Sequence, residues 1–152
     1  MKRLSLTLLP LLPALSFSGY TLADTPRLSD IIKDPATAKP FAALIANQHL
    51  PSWVKQGGVE SPMQQVTLKG QSYQVYSTCQ PHHCGQQKFA LLYSPRHQQM
   101  SGLWLRSDED GKRETLQWLK ISDELSIDGK TVLYAALTGS LENHPAAFNY
   151  QP

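Results

Sequence analysis

Two cysteines, Cys79 and Cys84, stand close together between two stretches in which apolar and polar residues alternate. Tyr73, Val75 and Ser77 precede them at a period of two, and Gln87 to Tyr93 reads as a further strand behind them. Two strands joined by so short a segment run antiparallel, because a parallel pair needs a long crossover. The segment Cys79-Gln80-Pro81-His82-His83-Cys84 is therefore the tip of a hairpin, and Pro81 fixes one of its backbone dihedrals.

The rest of the chain arranges itself around that hairpin. Val66 and Leu68 alternate before a Lys69-Gly70-Gln71 turn, which predicts an earlier hairpin. Met100 to Ser107 and Arg113 to Lys120 predict two more strands across the charged turn Asp108-Glu109-Asp110-Gly111. Upstream of Gln64 the period is helical. Ser29 to Lys33 predicts a short helix, and Pro40 to Ala46 a second one with Pro40 in its first turn. His49 to Gly58 reads as an irregular connection. After Lys120 the helical period returns. Ser122 to Leu125 is a capped turn, Asp128-Gly129 leads into the last helix, and Lys130 to Leu137 turns Val132, Leu133, Ala136 and Leu137 to one side. Helices, then about five strands in meander order, then helices predict an α+β fold with the sheet covered by helices.

Met1-Lys2-Arg3, an apolar run from Leu4 to Leu15 and a Thr21-Leu22-Ala23 exit read as a cleavable signal peptide over residues 1–23. The run is too short to span a bilayer, and no second apolar stretch approaches that length. The expected mature domain, 24–152, is exported, most simply to a periplasm, with no membrane partner. Lys and Arg total 14 against 12 for Asp and Glu; without Lys2 and Arg3 the balance is 12 against 12. A neutral domain lacks the basic stripe of a nucleic-acid binder. About 130 residues suffice for a single domain with one core.

The cysteine segment carries two chemical readings. Two thiols and two imidazoles within six positions are zinc-ligand types, but adjacent His82 and His83 turn inward together only with difficulty. An even cysteine count in an exported chain favours a bridge. A ring closed by Cys79 and Cys84 would display an imidazole on a stiff frame, as a protein does when it presents itself to another protein's cleft. Elsewhere the signals are weaker. Gly129-Lys130-Thr131 resembles the end of a phosphate loop, but Glu124 stands where its first glycine belongs. Asp108, Glu109 and Asp110 read as a solvated tip, His144 as a local cap, and Trp53, Trp104 and Trp118 as core or its edge. There is no G-x-S-x-G and no H-E-x-x-H, so no enzyme and no cofactor is expected.

Several stretches together carry a resemblance: Leu50-Pro51-Ser52-Trp53-Val54 with Gly57-Gly58, Val66-Thr67-Leu68, Tyr73-Gln74-Val75, Cys79-x-Pro81-His82-x-Cys84-Gly85, and Gln99-Met100-x-Gly102-Leu103. The run from Leu125 to Pro145, closing with Phe148-Asn149-Tyr150, is the most specific. The chain resembles the Ivy family of periplasmic lysozyme inhibitors over nearly all of its mature length. That resemblance implies a three-layer α/β/α arrangement with a central five-stranded antiparallel meander. It also implies that the disulfide-closed loop, Cys79 to Cys84, enters the cleft of a host c-type lysozyme. His82 falls at the position of the family's key histidine, where an imidazole meets two catalytic carboxyl groups and takes on positive charge beside them. Restraint of the cell's own lytic transglycosylases is a related role, and homodimers occur in the family. The family loop commonly has Asp after the histidine, where this chain has His83, and Gln80 replaces a Lys of the better-known member. Both changes bear on potency and target preference. The rim of such an interface falls on Gln80, His83, Gly85 and Gln86. A periplasmic metal- or ligand-binding module on Cys79, His82, His83 and Cys84 is the competing class, which a count of free thiols separates from the bridge.

Overall fold

Strand alternation and helical period divide the chain much as the sequence predicts. The computed structural model describes residues 24–151; the signal-peptide reading of residues 1–23 lies outside them. Three helices come first: α1 (Leu28–Lys33), α2 (Pro35–Ile45) and α3 (Ser52–Gln56). Six strands follow, β1 (Val59–Glu60), β2 (Gln64–Leu68), β3 (Gln71–Cys79), β4 (Gln87–Ser94), β5 (Gln99–Ser107) and β6 (Glu114–Leu119). A 3-10 turn at Asp123–Leu125, helices α4 (Asp128–Thr138) and α5 (Ser140–Asn143), and a 3-10 turn at Pro145–Phe148 complete the chain.

The strands β2 to β6 form the antiparallel meander, each paired with the next. The sixth strand was not foreseen: β1 pairs with the far end of β3, on the same side as β2. The two turns framing β3 differ in kind. Lys69 and Gly70 both take positive φ, 50° and 76°, the pattern of a tight two-residue hairpin.

Opposite faces of the sheet feed two cores. Tyr76, Phe89, Leu91, Tyr93 and Trp104 pack against Leu28, Phe41, Leu44, Trp53 and Val54 of the first three helices. Val75, Ala90, Leu92, Leu103 and Leu105 pack against Val132, Leu133, Ala135 and Leu137 of α4 and Leu141 of α5. The sheet is thus a middle layer, which is the three-layer arrangement. Phe41 meets Phe89 edge to face, 6.4 Å between ring centroids, and burial of each such ring is worth about 2–3 kcal/mol. Burial also pushes the Tyr76 phenol up to about 12.

Four local expectations change. The second helix starts at Pro35, not Pro40, because the Asp34 side chain caps it by accepting from Ala36 N at 2.9 Å. Pro40 is therefore mid-helix, held there by packing of Phe41 and Leu44. The segment read as irregular contains α3, which exists to bury Trp53 and Val54. Asp128 and Gly129 lie in the first turn of α4, and Gly129 is buried against Leu125, where a Cβ would come within 2.8 Å. On the same helix Ala135 is also buried, while Ala136 packs half-buried against the same core.

Candidate functional site

Between β3 and β4 the backbone is bound at nearly every step. Cys79 lies in a strand flanked on both sides, paired with Val59 of β1 and Lys88 of β4. Gln80 N donates to Gln87 O at 3.0 Å, carrying the ladder one step beyond the strand. His83 N then donates to Gln80 O at 2.9 Å and closes a turn with Pro81 second and His82 third. Proline second and a positive φ third are the marks of a type II turn, and His82 has φ 67°. A left-handed residue without glycine's freedom costs about 1–2 kcal/mol, although His tolerates that region better than most.

A second turn follows. Gln86 N and Gln87 N both donate to His83 O, at 3.0 and 2.9 Å. Cys84 sits between the two turns and is joined to Cys79, with Cα atoms 4.8 Å apart. Outside the ring, Ser107 N at the end of β5 donates to Gln86 O at 2.8 Å. The result is a stiff platform with Pro81, His82, His83 and Gly85 exposed and Gln80, Cys84 and Gln86 half-buried. The imidazole of His83 has Gln86 Oε1 at 3.4 Å, whereas that of His82 has no hydrogen-bond partner among the described residues.

The platform rests on residues that sequence reasoning assigned no role. Gly58, at φ 66°, passes directly beneath Cys79: a Cβ there would lie 2.5 Å from Cys79 O and 2.6 Å from Thr78 Oγ1. Thr78 is buried, and its hydroxyl donates to Gly57 O. The Gly57-Gly58 pair was visible, but nothing local revealed that β3 would pass over it. On the far side, Trp104 Nε1 donates to Gln87 Oε1 at 3.1 Å, which ties the start of β4 to the core.

With the two sulfurs joined to each other, neither offers the thiolate that a zinc site requires. Among the described residues no group of three or more His, Cys, Asp or Glu is arranged to hold a metal ion. The remaining sequence candidates lie in separate places. Asp108 to Asp110 occupy the exposed β5–β6 turn, Lys130 lies over Trp118 at 5.5 Å on α4, and His144 is exposed behind α5.

The chain that carries this turn has relatives. The family described as inhibitor of vertebrate lysozyme (Ivy) matches residues 36–139. The chain belongs to the Ivy family. It is 48% identical over 124 residues to the inhibitor of vertebrate lysozyme of Escherichia coli strain K12, covering 82% of this chain and 79% of that protein. The protein of the same name in Escherichia coli O157:H7 matches to the same extent. A third, from Pseudomonas aeruginosa, is 29% identical over 82 residues, 53% of this chain and 54% of its own. The Ivy family is one of inhibitors rather than enzymes.

Proposed function

We propose that this chain inhibits vertebrate lysozyme by occluding its substrate cleft with the Cys79–Cys84 turn, His82 lying between the two catalytic carboxyl groups. The observation that carries this reading is the exposed His82 at the third position of a turn already fixed by four backbone hydrogen bonds and a bridge. A shape held before contact loses little freedom on insertion, so more of the contact energy appears as affinity. An imidazole suits the target: a glycosidase of this type keeps one carboxyl protonated and one ionised within a few ångströms. Residues 1–23, read as a leader, support action in the periplasm. Lytic transglycosylases of the same cell carry a comparable catalytic acid and are second targets of the same turn.

Competition kinetics test the occlusion. A chitooligosaccharide that fills the lysozyme cleft should raise the apparent inhibition constant of the oxidised protein in proportion to its concentration. An inhibition constant indifferent to the saccharide would place the contact outside the cleft and refute the reading. Replacing lysozyme by a purified lytic transglycosylase tests the second target; no inhibition there removes it.

A further inference from the structure

Next to the Cys79–Cys84 turn is a second feature that the fold does not use. Arg106 follows Trp104 by two positions in β5, and its guanidinium carbon lies 4.3 Å from the Trp104 ring centroid. Stacking holds the plane of the guanidinium fixed. Its Nε is buried and has no hydrogen-bond partner among the described residues. A buried donor without a partner is costly, and proteins keep few of them.

Arg106 opens onto a hollow of about 250 Å³ lined also by Ser107, Asp108, Arg113 and Thr115. Two arginines, a serine and a threonine thus line it beside one aspartate. That carboxylate is engaged: Asp108 Oδ1 accepts from Arg113 N at 3.0 Å. The one ion pair among the described residues is Lys112 with Asp110, so neither arginine forms an ion pair within 4 Å. The hollow adjoins the turn. Arg106 stands opposite Gln87 in register, and Ser107 N holds Gln86 O.

We propose that this hollow receives an aspartate or glutamate side chain of the enzyme the turn inserts into, as a second anchor beside the histidine. The proposal rests on the reading of the chain as an inhibitor. A carboxylate is the natural occupant, since the fixed fork of Arg106 can offer it two parallel N–H donors while Arg113 adds charge. Its source is the partner because insertion of the turn brings the partner's surface over this hollow.

The test is the inhibition constant against a vertebrate lysozyme at low and at physiological salt, for wild type, R106Q, R106K and R113Q. R106Q should weaken inhibition at least about tenfold, and flatten its dependence on salt, because a rim charge acts through salt-sensitive association. R106K keeps the charge and loses the fork, and should recover only part. R113Q, in an exposed turn, should cost about threefold with an unchanged melting temperature. If R106Q does not fold, R113Q decides. Wild-type constants and salt slopes in R106Q and R113Q would overturn the proposal alone. No inhibition by the wild type would bring down the inhibitor reading and the proposal together.

Discussion

Two turns emerge from the same end of the sheet, and they are built in opposite ways. The β3–β4 turn has a bridge, a proline, a left-handed histidine and backbone bonds to β4 and β5, and it carries no formal charge apart from its imidazoles. The β5–β6 turn, Asp108 to Arg113, is charged at every position but Gly111. Two backbone bonds, Asp108 N to Arg113 O and Gly111 N to Asp108 O, a third bond from Arg113 N to Asp108 Oδ1, and one exposed ion pair at 2.7 Å hold it. Both connect neighbouring antiparallel strands and both face solvent. Exposure therefore does not distinguish the two turns; the density of constraint does.

Changes beneath the first turn should have the largest effect on the fold. Gly58→Ala places a methyl against Cys79 O in a left-handed position, and should destabilise by about 3 kcal/mol, read by urea unfolding. A loss under 1 kcal/mol would mean that the platform gives way easily. Removing the bridge with Cys79→Ser and Cys84→Ser should cost about 2 kcal/mol, because the closed loop is short. Inhibition should fall more than stability does, by ten- to a hundredfold, as the displayed shape loosens. His82→Gly separates the two properties further. It should stabilise the fold by up to about 1 kcal/mol by relieving the positive φ, while abolishing inhibition. If both fell together, the histidine would be a structural residue.

The smallest effects belong to the second turn. Lys112 holds the Asp110 carboxyl below the usual carboxylate range, chiefly through their side-chain hydrogen bond. A lowered folded value means a contribution present above the unfolded value and lost as pH falls through the folded one. Lys112→Ala should raise the Asp110 titration midpoint in an NMR titration and leave the unfolding free energy unchanged within error, since the pair is fully exposed.

The sequence reading recovered the order of elements because long strands announce themselves by alternation and α4 by its apolar spacing. It missed what depends on distant partners. Trp53 and Val54 form α3 only because Phe89 and its neighbours wait above them, and β1 is a strand only because β3 overshoots β2. At the site, the cysteines, Pro81 and His82 were legible as a local ring. Gly58, Thr78 and Ser107 were not, since each acts on the turn from another part of the chain. Arg106 read as one strand residue among others until the fold set it over Trp104 and beside Gln87.

Inhibition of a vertebrate lysozyme by the oxidised protein, wild type beside His82→Ala, tests most directly whether the constrained turn is the inhibitory element. His82 is exposed, and Ala meets the same positive φ slightly less well, so the variant should melt within a few degrees of wild type. Its inhibition constant should rise at least about a hundredfold, as for a central interface residue. An unchanged constant at unchanged stability would contradict the account.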